Sequence, residues 1–558
     1  MSKTKPTVTS GAPPEVSPER MRTVVAASAA GTIFEWYDFF IYGALATIMA
    51  KHFFANLPDA QALIFSLLTF SVGFIVRPVG ALVFGKIGDS RGRKGAFLAT
   101  IVIMGAATVG IGLLPTYEQI GPMAAALLVV CRVAQGFALG GEYGGAAIYV
   151  SEHARPGRRG SATALIQASA AIGLVGALAV ILATRSLIGE EAFRDWGWRV
   201  PFLFSFFLLM ISIWIRLQLE ESPAFHQLKA EGRVSKRAYA ESFLEWRNLK
   251  YVLLALFGLM MAQGAGWYTA NFYAQVFLER ILHVDQRTVN VIMITVTLVS
   301  APLYVFFASA SDRLGRRPVM LFGMVLLTVS YFPGYHLISK AANPALIEAS
   351  ERAPVVVVAD PADCSFMLDL TGGAHQFASS CDIARSALAD SGASYATRDA
   401  PAGAKATVEI GGVAVESVDA QGRSNAEIKA ARADFSKLLR EKLAEAGYPK
   451  TADTAAINYP LLFAALMLFV VGTTALYGPQ AAALVELFPT RIRYTAFSLP
   501  YNVGTGWFGG LTPVIALAIV TATGDIFAGL WFPFVVTAIA ATIFFFAWPE
   551  TKDRDIHA

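Results

Sequence analysis

Asp89-Ser90-Arg91-Gly92-Arg93-Lys94 and Asp312-Arg313-Leu314-Gly315-Arg316-Arg317 are one short basic loop written twice, at an offset of 223 residues (312 − 89), and each follows a long apolar run. Two further pairs flank it. Trp36-Tyr37-Asp38-Phe39-Phe40-Ile41-Tyr42 returns as Trp267-Tyr268-Thr269-Ala270-Asn271-Phe272-Tyr273, an offset of 231 (267 − 36). Glu152 with Pro156, Arg159 and Ala162 returns as Glu486 with Pro489, Arg493 and Ala496, an offset of 334 (486 − 152). The chain is therefore two related halves. The jump from 223 to 334 places 111 extra residues between Asp312 and Glu486, inside the second half.

Between these markers lie apolar blocks. Of 558 residues 55% are hydrophobic and only 15% charged, and the apolar ones come in runs of about 18 or more, enough to cross a ~30 Å bilayer core as helices. The blocks predict an all-α polytopic membrane protein with twelve spans near 22–50, 61–84, 95–115, 122–151, 161–185, 199–219, 250–277, 289–311, 317–338, 459–483, 495–521 and 526–548. Buried core helices of a soluble protein would need shorter runs of about 10–14 residues. The net charge of +4 matters less than its placement. Lys86, Arg91, Arg93 and Lys94 follow span two, and Arg155, Arg158 and Arg159 follow span four, whereas the alternate loops are nearly free of basic residues. The positive-inside rule puts the basic loops, and with them both termini, in the cytoplasm. No cleavable signal peptide is legible at the start.

The expected organisation follows: a disordered cytoplasmic tail at 1–20, a six-helix half at 21–219, a cytoplasmic connector at 220–249, a second half at 250–339 and 459–548, and a tail at 549–558. The extra residues, 340–458, are polar and should form a small α/β periplasmic insert between spans nine and ten. Pro354 to Val358 reads as a strand, Lys405 to Val418 as a hairpin broken at Gly411-Gly412, and Asn425 to Gly447 as a helix closed by glycine. In an oxidising compartment its Cys364 and Cys381 either pair or remain two free thiols. With three cysteines in all, a disulfide scaffold or multi-cysteine metal site is excluded.

Phe34-Glu35-Trp36-Tyr37-Asp38-Phe39-Phe40, Arg77-Pro78-Val79-Gly80 and Gly140-Gly141-Glu142-Tyr143-Gly144-Gly145, together with the repeated loops, resemble the major facilitator superfamily and, within it, the metabolite:proton symporter family. The likeness covers nearly the whole chain except the first tail and the insert; Ser90 departs from it, where the family's loop usually has arginine or lysine. It implies a monomeric, multi-pass transporter of the bacterial inner membrane. Alternating access would import a small organic acid, mono- or dicarboxylate, or a zwitterion, by proton symport. Members import oxoglutarate, shikimate, citrate, or proline and betaine. The implied partners are the solute, protons and the lipid bilayer; there is no nucleic acid, cofactor, metal or enzymatic activity. A uniporter or exporter of the same fold, and a nutrient sensor using the insert as receptor, are the alternatives. No Gly-x-x-x-x-Gly-Lys-Ser/Thr loop supports an ATP-driven pump.

Charge inside a span costs ~2.5–3.5 kcal/mol, so each such group is a candidate. Glu35 and Asp38 share a helical face with Tyr42, and Tyr37 adjoins them. One or both acids carry the proton, or an arginine pins them permanently ionised. Arg132 resembles the superfamily's span-four arginine, whose partner is commonly a span-one acid. Glu142, further along that helix, relays protons or caps a loop. Arg77 either holds the solute's carboxylate or closes a structural ion pair. Neutral contacts to the solute would come from Tyr37, Tyr42, Gln135, Gln263, Tyr268, Asn271, Tyr477, Gln480 and Asn502, although tyrosine and tryptophan also mark membrane interfaces. By resemblance Asp89, Arg93, Asp312 and Arg316 form a cytoplasmic gate.

Overall fold

A computed structural model describes residues 18–55, 59–218, 221–365 and 377–556; the tail expected at 1–20 lies almost wholly outside them. Among the described residues twelve helices are long and apolar enough to span a bilayer. They are Thr23–Ala44, Thr69–Arg91, Arg93–Leu113, Met123–His153, Arg159–Ile188, Arg199–Leu217, Trp246–Ile281, Gln286–Leu314, Arg316–Ala342, Tyr459–Leu487, Arg493–Thr523 and Ala528–Ala547. These are spans one to twelve. The boundaries differ from the sequence reading in an instructive way. Span two belongs to a helix, Asp59–Arg91, that runs on through the basic loop until Gly92, at φ 121°, breaks it. Gly315, at φ 104°, ends span eight in the same manner. Charge marks where a helix leaves the bilayer, and a positive φ marks where it stops. Span one ends at Ala44, with a short helix, Ala46–Phe53, beyond a turn at Leu45.

In the first half span two packs on span four, span one on span five, and span three on spans four and six. The contact between spans two and four depends on missing side chains. A Cβ on Gly136 would collide with Gly73, and one on Gly140 with the backbone of Arg77. That crossing lets the helices touch backbone to backbone. Spans nine and ten, seven and eleven, and nine and twelve pack within the second half, while span two meets span eleven and span five meets span eight across the boundary. Span seven winds as π-helix at Leu254–Met260, Thr269–Tyr273 and Phe277–Ile281, and span eleven at Gly504–Gly509. Such wide turns are rare and concentrate at functional sites.

The insert leaves span nine through the helix Pro344–Arg352, capped by the side chain of Asn343. Its sheet has four strands, β1 Val355–Ala359, β2 Tyr395–Asp399, β3 Thr407–Ile410 and β4 Val413–Glu416, in the order β2-β1-β3-β4. β1 and β2 are parallel and joined by the helix Ser380–Asp390; the other neighbours are antiparallel. Gly411 and Gly412, at φ 53° and 93°, make the two-residue hairpin turn that needs both residues left-handed. Sequence reading found β1, the hairpin and the helix Asn425–Glu445 with its Ser424–Glu427 capping box, but not β2 or its crossover helix. Cys364 and Cys381 are joined as a disulfide, Cα–Cα 5.2 Å. The insert is seated on the second half. The N–H of Tyr395 donates to Gly524 O (2.8 Å), that of Ala452 to His283 O (3.0 Å), and the Tyr395 hydroxyl to Thr521 O. It rests on the ends of spans seven and eleven, at the face opposite the termini.

Candidate functional site

At the termini face the repeat becomes a pair of matching charge clusters. Asp89 accepts from the backbone N–H of Tyr494 (3.1 Å) and Thr495 (2.8 Å), at the start of span eleven. Asp312 accepts from Gly160 (2.8 Å) and Ser161 (2.7 Å), at the start of span five. Each carboxylate thus satisfies orphan N–H groups of a helix in the other half and faces that helix's positive end. Arg93 bridges Asp89 (3.2 Å) and Glu152 (3.7 Å), and Glu152 reaches Arg493 at 2.7 Å. Arg316 bridges Asp312 (2.7 Å) and Glu486 (3.1 Å), and Glu486 reaches Arg159 at 3.6 Å. Behind them Glu221 accepts from the N–H of Arg93 (3.0 Å) and Glu550 from that of Arg316 (2.9 Å). Burial pushes the Glu550 carboxyl up, but four backbone N–H donors hold it below the usual range. Bonds between the halves therefore gather at this face.

Of these, Asp89, Arg93, Asp312 and Arg316 were expected. Glu152, Glu486 and Arg493 stood in the sequence only as repeat markers, Arg159 also as a basic loop residue, and Glu221 and Glu550 were missed. Their signal was present: Glu221-Ser222-Pro223 and Pro549-Glu550-Thr551 close the two halves in the same way.

Deeper, the halves meet around Arg77. It lies 14 residues from the end of its helix, ~21 Å at 1.5 Å per residue, part of which is the basic stretch where the helix has left the bilayer. The side chain is 3% exposed, its Nε and Nη2 make no hydrogen bond, and its guanidinium lies over the rings of Phe39 (5.0 Å) and Phe74 (4.6 Å). Phe74 meets Tyr268 of span seven edge-on at 5.9 Å, and Tyr268 stacks on Phe272 at 5.3 Å. From the first half Tyr143 stacks on Tyr501 at 3.9 Å, and the Tyr501 hydroxyl is 3.3 Å from that of Tyr477. Gln480 is buried with neither amide atom bonded, and Gln263 Oε1 and Asn502 Oδ1 are likewise unsatisfied. Asn502 donates to Gly140 O (2.9 Å), tying span eleven to span four. Asn271 donates to Trp267 O (2.9 Å), within its own helix. A buried cation with unbonded donors and aromatic faces around it suits a small solute with a carboxylate and a weakly hydrated opposite end.

Three expectations need correction. Arg132 has no carboxylate within ion-pair distance among the described residues. Its guanidinium lies 4.5 Å over the Tyr42 ring and donates to Gln135 Oε1 (2.6 Å) and Phe70 O (3.2 Å). Gln135 donates in turn to Thr108 (2.7 Å), whose own hydroxyl donates to Met104 O (2.9 Å); Thr108 lies beside Asp38, so two neutral side chains stand between arginine and acid. Tyr37 turns away from the boundary and donates to Pro201 O of span six (3.0 Å). Tyr42 is fully buried and donates to Ser66 O (3.1 Å). Helical period places a residue on a face; only packing says which neighbour that face meets.

Glu35, Asp38 and Glu142 come together inside the first half, around a small cavity of about 20 Å³, room for one water. Asp38 accepts from Ser205 Oγ (2.5 Å), and Glu142 lies 3.4 Å from Nη2 of Arg216 in span six. Arg216 was not anticipated: one residue from the end of its span, it reads as a snorkelling cation.

Residues 23–242 match the family described as "Sugar (and other) transporter", and residues 255–347 the "Major Facilitator Superfamily". The proline/betaine transporter of Escherichia coli K12 is 35% identical over 332 residues, 57% of this chain and 65% of that protein. The chain thus spans somewhat under two thirds of that relative's length. A putative proline/betaine transporter of Staphylococcus haemolyticus is 31% identical over 334 residues, 60% of this chain and 70% of that one. The fold matches the proton:xylose symporter XylE bound to 6-bromo-6-deoxy-D-glucose at a TM-score of 0.64, with 12% identity over 97% of this chain and 98% of the other. Matching halves, a doubled charge cluster and these similarities make the chain a member of the major facilitator superfamily, in the branch that holds the bacterial proline/betaine transporters.

Proposed function

We propose that the chain is a secondary active importer of the bacterial inner membrane, carrying a small carboxylate-bearing solute together with protons. The observation that carries this reading is Arg77, buried at the boundary of the halves with Nε and Nη2 unbonded. The solute's carboxylate supplies the missing acceptor, and bidentate pairing fixes its orientation. Its immediate contacts are the ring faces of Phe39 and Phe74, with Tyr268 beyond, which an alkylated ammonium can meet; Glu35 and Arg132 are its charged neighbours. This favours a zwitterion over a dicarboxylate, in keeping with the relatives named for proline and betaine. Basic loops assign the termini face to the cytoplasm and the insert to the periplasm. The gathered ion pairs then describe a state closed toward the cytoplasm, ready to take solute from outside.

Reconstituted vesicles test this. Labelled glycine betaine or proline should accumulate when an inward proton gradient is imposed, and an uncoupler should abolish the accumulation. Uptake that only equilibrates, whatever the gradient, rules out symport. Preference for a dicarboxylate over both zwitterions rules out the solute assignment.

A further inference from the structure

The cavity that gathers Glu35, Asp38 and Glu142 lies between spans one, three, four and six; Met104, Leu208 and Ser212 help to line it, and no residue of the second half does. Its lining belongs to the first half alone, while Glu35 also faces Arg77 and Tyr477 at the boundary. The three acids are 4%, 6% and 0% exposed and are stepped along the membrane. Asp38 stands level with Ser205, six residues (~9 Å) from the insert-side start of span six. Glu35 is one turn nearer the termini. Glu142 is 11 residues (~16 Å) from the termini-side end of span four. Below them Arg216 rises from the termini-side end of span six. Its guanidinium fills the place a side chain on Gly31 would need, lies 3.2 Å from the Phe97 ring centre, and donates to Phe97 O (3.4 Å) and Glu142 Oε1 (3.4 Å). Oε2 of both Glu35 and Glu142 is buried without a hydrogen bond, as is Nε of Arg216.

Three carboxylates and one guanidinium in so small a space cannot all be charged, because each extra anion lacks both water and a counter-ion. The low-cost arrangement has one acid ionised against Arg216 and protons on the others. The remaining charged and titratable groups facing the cluster are few. They are Arg77 of span two, an electrostatic neighbour of Glu35, and three tyrosines: Tyr37 beside Asp38, Tyr477 of span ten facing Glu35, and Tyr494 of span eleven, whose hydroxyl donates to Gly141 O (2.6 Å).

We propose that protons cross the first half through this cavity, passing from Asp38 to Glu35 to Glu142, with Arg216 as the positioning residue shared between Glu142 and Glu35. This rests on the proton-coupled reading above. Starting with Glu142 ionised and the other two protonated, Glu35 passes its proton, directly or over one cavity water, to the Glu142 carboxylate; Asp38 then passes its proton to the Glu35 carboxylate and is itself reprotonated from the insert side. Each hop carries one proton inward and returns one negative charge outward. When Glu142 is protonated its bond to Arg216 lapses, and the guanidinium is balanced by ionised Glu35. Release of the proton from Glu142 to the termini side restores the pair. The salt bridge is thereby tied to proton occupancy on spans four and six, whose neighbours carry the gate.

Two measurements test this on the full chain. The first is the ratio of gradient-driven accumulation to counterflow exchange, with the labelled betaine probe of the preceding test. Glu142→Gln should lower that ratio at least ten-fold, and Arg216→Gln likewise. The second needs no solute: infrared difference titration of buried carboxyl groups between pH 5 and 9. Arg216→Gln removes the cation that favours the ionised form, so the remaining carboxyls should titrate more than one pH unit higher, while Arg216→Lys should shift them less. Wild-type accumulation that ignores the gradient overturns the symport reading, and the relay with it. Wild-type accumulation that Glu142→Gln and Arg216→Gln retain, with an unmoved titration, overturns the relay alone.

Discussion

The carboxylate of Glu152, in span four, lies 2.7 Å from the guanidinium of Arg493, at the start of span eleven, and both side chains are wholly buried. The two residues belong to different halves, so the pair exists only while the halves are closed at the termini face. Its mirror, Glu486 with Arg159, is looser at 3.6 Å, and Glu486 leans instead on Arg316 at 3.1 Å within its own half. The two latches are related by the repeat but not equal in strength.

Breaking the tighter latch should open that face. Removing one member of a buried pair costs about 3–5 kcal/mol, because the survivor is left charged and unpaired. Glu152→Gln should therefore shift the closed-to-open ratio by about a hundred-fold or more. A cysteine at Ser498, buried on span eleven against Gly144, reports the change in a Cys131→Ala background. A maleimide applied to the termini face should label it at least ten-fold faster in the Glu152→Gln variant. Equal labelling rates would mean that the face is held shut by packing alone.

Arg77→Lys keeps the charge but loses the planar, two-pronged donor geometry. Losing a charge-assisted contact of about 1.5–3 kcal/mol weakens solute binding roughly ten- to hundred-fold. Arg77→Ala should bind more weakly still, with thermal stability kept or raised, since an uncompensated buried charge has gone. Affinity on purified protein, measured beside the melting temperature, separates the cases. Normal binding by the lysine variant, or unfolding of both, would assign Arg77 to structure.

The insert should respond to pH through Asp390, at the end of its crossover helix. The residue is exposed at the helix end, but the chain crowded around it desolvates this carboxyl and lifts it above its ordinary range, despite the nearby Arg280, Arg440, His283 and Arg432. A raised acid pKa means that the folded insert holds its proton more firmly than the unfolded one. Stability is then full below the unfolded value of about 3.9 and declines as pH rises through the folded value. Asp390→Asn should remove that decline and leave the insert more stable at neutral pH. Hydrogen-exchange protection in Val355–Ala359, corrected for intrinsic rates, measures it at pH 4 and 7. A decline of equal size in both proteins would locate the titrating group elsewhere.

The sequence by itself determined the architecture, because membrane insertion is governed by local quantities. A run of apolar residues long enough to cross hydrocarbon needs no partner to be recognised, and Asp89 and Asp312 align the halves without reference to any contact. The insert declared itself by interrupting that alignment, and Gly411-Gly412 marked its hairpin because two left-handed residues in a row admit little else. Helical period also put Glu35 and Asp38 on one face. What the face meets is a tertiary fact. The resemblance suggested Arg132 as partner for these acids, but Arg132 lies over Tyr42, and the cation that reaches the cluster is Arg216, from a helix 181 residues further on (216 − 35). Likewise Glu152 and Arg493 are markers of a repeat in one dimension and a buried latch in three. Their meaning depends on which half each helix end touches, and burial alone, by stripping water from both charges, makes that touch strong enough to hold a gate.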